Sequence, residues 1–316
     1  MYVVMYHYVR KIRNSRYPEI KGLEQSLFEE QLRFFIQHDF QFVTLQEVVQ
    51  QPEHIGEKSV LLTFDDGYID HYQTVFPILD RYGIQGVFSM PGKIIREKKV
   101  LDVNKIHFVL ACADIREIKA RLFSCLNYYR GAEFDFPSNQ ELYQKWGVAN
   151  RFDSGDVIFV KRILQAELPE KLRNLITDEF FREFVTDHEA AFVDELYMNQ
   201  DQIETMKKHG MEFGIHGYDH YWMNRLSEEE LRLDIARALD VFDGIIDPQN
   251  WCCCYPYGSH SPMVIHAVKQ LGAVSGLATE TACYHPLEDD IYKIPRLDTN
   301  DFPPKSENYL TKGGVV

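Results

Sequence analysis

Val60-Leu61-Leu62-Thr63-Phe64-Asp65-Asp66-Gly67 decides the fold. Four apolar residues around a single threonine read as a short strand buried on both faces, the kind found in parallel sheets covered by helices. The strand runs straight into two adjacent carboxylates and a glycine turn. Neighbouring ionised carboxylates repel each other and resist losing water, so the pair makes physical sense only if a cation or a proton separates their roles. One can bind metal while the other handles a proton.

Similar apolar runs recur along the chain: Val3 to Tyr6, Phe40 to Thr44, Gly86 to Met90, Met211 to Ile215, Trp251 to Tyr255 and Ala273 to Ala278. Helical patterns separate them. Ser26 to His38 has apolar residues at helical spacing, with Ser26 and Glu29 or Glu30 as its cap, and Ser227-Glu228-Glu229-Glu230 opens an amphipathic helix running to Phe242. This alternation predicts an α/β fold of parallel strands with crossover helices. One interval breaks the rhythm. Between Pro91-Gly92 and Asp201 lie more than a hundred residues with helical patterning over Asn104 to Ala113, Asp114 to Tyr129, Val157 to Gln165 and Glu170 to Val185. A segment that long does not stay structureless in a compact domain, so it reads as a helical insertion. The expected division is residues 1–92 and 201–300 as the α/β domain, 93–200 as the insertion, and 301–316, through Gly313-Gly314, as a C-terminal tail of loop or partial disorder.

Polar residues fall in one layer of this map. His7, Asp65 with Asp66, His216, Tyr257 and Arg296 are each read as following a strand-like run, at the end where parallel α/β folds build active sites. Asp66 with His216 and His220 makes a two-histidine, one-carboxylate set that suits a divalent transition metal, most often zinc, with positions open for water and substrate. His216 and His220, four apart, share one face of a helical turn. By itself such a pair is as easily two surface histidines; the strand-end carboxylates make it a metal site. Asp65, beside the ligand but not needed for it, is then the base toward a water acidified by the metal, and the turn Tyr255-Pro256-Tyr257-Gly258 can offer a backbone N–H to an oxyanion.

The 316 residues are 45% hydrophobic and 26% charged, enough for one large domain or two smaller ones. A formal net charge of -14 argues against nucleic acid or an anionic membrane as the main partner. No apolar stretch approaches the roughly 20 residues that span a bilayer. The N-terminus, Met1 to His7, has neither a basic region nor a long apolar one and reads as a first strand, so the expected location is cytoplasmic. Six cysteines, three of them consecutive at Cys252-Cys253-Cys254, fit small buried hydrophobes kept reduced. No partner is evident for His107, His188, His209, His260 or His285.

The strand ending in TFDDG, the HxxxH of His216 and His220, and the YPYG turn, in that order, resemble the polysaccharide deacetylases with a NodB-homology domain, carbohydrate esterase family 4. The resemblance implies a distorted (β/α) barrel with, here, a large helical insertion. It implies metal-dependent removal of acetyl from an N-acetylated sugar, with Asp65 as base, Asp66, His216 and His220 as ligands to a divalent metal such as Zn2+, and the Tyr257 N–H in the oxyanion hole. In that pattern an arginine stands three residues before the proline, where this chain has Cys253; Arg296 in Ile294-Pro295-Arg296-Leu297 is the nearest replacement. The Leu-x-His motif that supplies the general acid is missing after Arg296, and Met5-Tyr6-His7 stands at the N-terminus instead. This resembles the circularly permuted branch that includes poly-N-acetylglucosamine deacetylases, and makes His7 the expected acid. The expected partner is an N-acetylated saccharide in surface-glycan biosynthesis; the insertion can be a lid or a homo-oligomer contact. Two other functions stay open: an amidohydrolase on a small non-sugar amide, favoured by having only three tryptophans, and an inactive glycan-binding homologue, favoured by Cys253.

Overall fold

The computed structural model describes residues 1–131, 133–150 and 153–312. The chain divides into two compact units. Met1–Lys11, Gly22–Lys99 and the chain from Asp194 onward form the first; Ile12–Lys21 and Val100–Val193 form the second. The second unit starts later and ends earlier than the expected 93–200, and it recruits Ile12–Lys21, a stretch with no helical pattern to mark it.

The first unit is built on strands β1 (Tyr2–Tyr6), β2 (Gln41–Phe42), β3 (Ser59–Asp65), β4 (Val87–Met90), β5 (Glu212–Ile215), β6 (Trp251–Cys254), β7 (Ala273–Leu277) and β8 (Leu297–Asp298). All pair in parallel, in the order β8-β1-β3-β4-β5-β6-β7, with β2 beside the start of β3. Every run expected to be a strand is one. β8 is additional; at two residues it is too short to leave a periodic signal. The sheet curls into an incomplete barrel. Its opening lies between β7 and β8, where Ile294, three residues ahead of β8, bridges Leu277 of β7. The parallel α/β arrangement expected from the alternation of elements, and the distorted barrel implied by the family resemblance, are therefore present.

Side chains alternate across each strand, so Val3, Leu61, Val87, Cys252, Cys254 and Leu277 pack together as one apolar cluster. Leu61 shares its face of β3 with Thr63 and Asp65, which places the first carboxylate at the end of that cluster. Register stacks the strand ends: Tyr6 lies opposite Phe64, Asp65 opposite Ser89, Met90 opposite Ile215 and Ile215 opposite Cys253. The residues just past these ends, His7, Asp66 and His216, consequently share one layer.

The second unit is helical, with Asp102–Cys112, Ile115–Tyr129, Asn139–Trp146, Gly155–Arg162 and Glu170–Phe184. Buried Ile118, Leu122, Cys125 and Leu126 repeat at helical spacing and join Phe159, Ile176 and others in a core of its own. All four expected helices are found, with bounds shifted by a few residues. Two expectations fail. The helix expected to be capped at Ser26 is Gln25–Gln37, and its N-cap, Glu24, makes no side-chain cap bond. Leu23–Glu24 pairs with Val9–Arg10 in a small ribbon, which sets the helix entry two residues early. The tail is also more ordered than expected: Phe302 is buried, and Tyr309 of the helix Asn308–Lys312 stacks on it with ring centroids 5.2 Å apart. Gly313-Gly314 lie outside the described residues.

The Ser227 cap is present as expected. Its side chain accepts from the Glu230 N–H while Glu230 reaches back to the Ser227 N–H, opening Glu228–Val241. Ser227→Ala is expected to cost about 1 kcal/mol, read as a lowered midpoint in thermal or urea unfolding; an unchanged midpoint would contradict that contribution.

Candidate active site

Three turns leave the barrel in a conformation that L-residues avoid. Asp66 has φ 74°, His220 φ 58° and Tyr257 φ 58°. Left-handed backbone at non-glycine residues costs on the order of 1–3 kcal/mol each and persists only where the surroundings enforce it. All three strained positions belong to the motifs singled out from the sequence.

Arg296 is buried and lies against Asp65 as a fork: Nη1 donates to Oδ1 at 2.9 Å and Nη2 to Oδ2 at 2.8 Å. Its Nε donates to the Ala278 carbonyl and Nη1 also to Thr63 Oγ1. Arg296 does not follow a strand, contrary to expectation. It sits one residue before β8, and its backbone N–H bonds Glu280 just past β7, so the side chain enters through the barrel's opening. The cysteine at the site is also not the expected one. Cys254 places its Sγ 3.4 Å from Asp65 Oδ1 and 3.3 Å from Arg296 Nη2, whereas Cys253, one step along the strand, points to the opposite face. Burial works to raise the Asp65 pKa, but the Arg296 charge, with His216 and His7, outweighs it and holds the carboxyl well below its usual range.

Asp66 Oδ1 faces His216 Nε2 and His220 Nε2, each at 3.4 Å, and all three residues are buried. Ligands about 2.0–2.1 Å from a tetrahedral zinc stand roughly 3.3 Å from one another, so both separations match one such ion, and all three ligand atoms lie within 4.8 Å of one another. His216 Nδ1 donates to the Cys254 carbonyl at 2.8 Å, which leaves Nε2 as the lone-pair nitrogen toward Asp66. Burial and the charge of His216 push His220 down to about 3, toward the neutral form a ligand needs. Burial also disfavours charge on His216, yet Cys254, Asp66 and Asp65 push it up, which marks this point as one that favours a positive charge. Asp65, His216 and Cys254 are likewise close enough to be a cation set. That second set is the poorer one, because both Asp65 oxygens already face the Arg296 guanidinium.

His7 is half-buried beside this group, near enough for its charge to act on Asp65, Asp66 and His220. Its carbonyl accepts from buried His71 Nε2 at 2.9 Å. The Tyr257 ring packs on His220 edge-on at 4.7 Å and stacks on Trp222 at 4.4 Å. The structure thus brings His7, Asp65, Asp66, His216, His220, Tyr257 and Arg296 into one neighbourhood.

Sequence reasoning missed several supporting residues. Asp234 accepts from the N–H groups of Tyr218 (2.8 Å) and Asp219 (3.2 Å), tying down the loop between the two histidines. Gly217, at φ 69°, allows this approach, since a Cβ there would meet Asp234 Oδ2 at 3.0 Å. The signal was legible: Asp234 shares a helix stripe with buried Leu231, Ile235 and Ala238, where an acid has no place without partners. Tyr68, directly after the TFDDG motif, donates to Asp66 Oδ2, and nothing in the spacing marked it.

The Arg296–Asp65 geometry has a measurable consequence. With its pKa depressed, Asp65 contributes stability that is present above its unfolded value and is lost only as pH falls through the lower folded value. Arg296→Met removes the partner and leaves burial to dominate, so the sign reverses. Stability at pH 7 is expected to fall by about 3–5 kcal/mol and to recover partly as pH is lowered toward 5 and Asp65 takes up a proton. Denaturant unfolding across that range checks it; a loss independent of pH would contradict it.

The family model for polysaccharide deacetylase matches residues 53–119 and 181–275, just over half of the chain. YxkH of Bacillus subtilis, named for the same family, is 19% identical over 281 residues, covering 88% of this chain and 64% of that protein. The poly-beta-1,6-N-acetyl-D-glucosamine N-deacetylase of Staphylococcus aureus is 35% identical over 105 residues, 29% of this chain and 36% of that protein. The chain therefore spans less than two thirds of the length of either relative. Among solved structures, the Streptococcus pyogenes deacetylase PplD in complex with acetate superposes with TM-score 0.60 at 16% identity, over 99% of this chain and 97% of that one. IcaB from Ammonifex degensii superposes with TM-score 0.55 at 18% identity, over 94% and 90%. At these identities the superpositions establish the fold. With the matched family model, they identify this chain as a member of the polysaccharide deacetylase family.

Proposed function

We propose that this protein is a metal-dependent N-deacetylase that removes acetyl from an N-acetylated sugar in surface-glycan assembly. The observation that carries it is the pairing of a three-ligand set, Asp66, His216 and His220, with a neighbouring carboxylate, Asp65, held apart from it by Arg296. A divalent cation at the three ligands, zinc being the one their nitrogen and oxygen atoms suit, lowers the pKa of water and polarises a carbonyl oxygen.

The chain's own residues supply the rest. Asp65 stays ionised at any working pH and is only weakly basic, so it accepts a proton from a water whose own pKa has been lowered. His7, half-buried beside both carboxylates, donates a proton to the leaving amine. The Tyr257 backbone N–H stabilises the oxyanion. The Staphylococcus aureus relative, by name an N-deacetylase of poly-N-acetylglucosamine, supports N-acetylglucosamine as the sugar class. The glycan-binding alternative rested on a cysteine in place of an arginine; Arg296 on Asp65 removes that motive. Six free cysteines favour a reducing, cytoplasmic setting. Among the described residues no helix is long and apolar enough to cross a membrane.

Acetate release from N-acetylglucosamine oligomers, with Zn2+ or Co2+ added to chelator-treated protein, tests this reading. Release that depends on the metal is expected; none on any N-acetylated saccharide, with metal bound, would overturn it. Asp65→Asn is expected to cut turnover about 10²–10⁴-fold while keeping the metal, and His216→Ala to lose the metal itself, as read by elemental analysis.

A further inference from the structure

Asp66 has two carboxylate oxygens and only one of them faces the histidines. Oδ1 stands 3.4 Å from each imidazole Nε2, while Oδ2 accepts the hydroxyl of Tyr68. Tyr68 is fully buried. Its ring stacks on Tyr8, with centroids 4.0 Å and planes 23° apart, and lies nearly parallel to Tyr197, with centroids 6.1 Å and planes 9° apart. The backbone is fixed as well: Tyr68 bridges Tyr197, and the Met198 N–H donates to the Gly67 carbonyl at 3.0 Å. A hydroxyl carried on a buried ring stacked against its neighbour can point in few directions, and this one points at Asp66.

We propose that Tyr68 is the positioning residue of the metal centre: it holds Asp66 Oδ2 so that the carboxylate meets the cation through Oδ1 alone. Outer-shell hydrogen bonds of this kind orient a ligand and set how it shares charge with the ion. Here the need is acute, because Asp66 sits on strained left-handed backbone in the turn between β3 and the helical segment that begins at Ile69. Confining Asp66 to one oxygen also limits the coordination taken up by protein and leaves room for water and an acyl oxygen. The inference rests on the cation site proposed above, and deepens it by naming what aims its carboxylate.

Metal affinity tests it without any substrate. Tyr68→Phe keeps the ring and the stack and deletes only the hydroxyl. Titration of the apo protein with Zn2+ against a chromophoric chelator is expected to show affinity reduced about 10- to 100-fold, and the visible spectrum of the Co2+-loaded form is expected to change as Asp66 rearranges. Equal affinity and an unchanged Co2+ spectrum in Tyr68→Phe would overturn the proposal while leaving the site itself standing. Failure of the wild type to bind either ion would instead remove the site. Should Tyr68→Phe not fold, Tyr8→Leu retains the hydroxyl and loosens the ring that aims it. Its affinity is expected to fall severalfold, and wild-type affinity in a folded Tyr8→Leu would again overturn the proposal.

Discussion

Two carboxylates adjacent in the chain, both about 2% exposed, must each be kept ionised without sharing a partner. Burial alone pushes both toward the neutral acid. The structure answers with a different set of partners for each acid. Arg296 takes Asp65 with a two-pronged fork from the barrel's opening. His216 and His220 converge on Asp66 from the end of β5. Were one cation to serve both acids, neither could act as a base; separate partners allow a division of labour between holding charge and moving protons.

Geometry for that separation comes from the barrel. Parallel register delivers strand ends to one layer, and alternation along β3 sends Asp65 to the interior while the turn takes Asp66 out of line. Backbone strain completes the arrangement. Asp66, His220 and Tyr257 each occupy left-handed backbone, and each is countered by specific contacts: the Tyr68 hydroxyl on Asp66, Asp234 on the loop leading to His220, and Trp222 stacked on Tyr257. Strain gathered at one end of a fold and supported by buried polar contacts is the pattern of a site selected for position rather than stability.

Much of this was legible in the sequence because it is written in local patterns. Apolar runs of strand length ending in polar residues predicted the strands and the layer they share. TFDDG and HxxxH predicted the members of the candidate cation set, and the capping box at Ser227 is a four-residue signal, Ser227 to Glu230. What escaped depends on distant contacts. The capping expectation at Ser26 lost to a two-residue ribbon formed with Val9–Arg10. Cys254 rather than Cys253 faces Asp65 because strand parity, not distance from the proline, sets direction. Arg296 does pair with Asp65 but from a different address than expected, since β8 begins after it and its reach to Asp65 runs through a gap in the sheet that no sequence window contains. Tyr68 and Asp234 are second partners of residues already found, and they show only once the turns are folded.

The central claim is that one cation belongs to Asp66, His216 and His220 and leaves Asp65 to Arg296. An anomalous-scattering map from crystals grown with Zn2+ tests it most directly. The account predicts a single strong peak about 2.0–2.2 Å from Asp66 Oδ1, His216 Nε2 and His220 Nε2, with the Arg296 fork on Asp65 intact. An ion bound by Asp65 and Cys254, with Arg296 displaced, would contradict it.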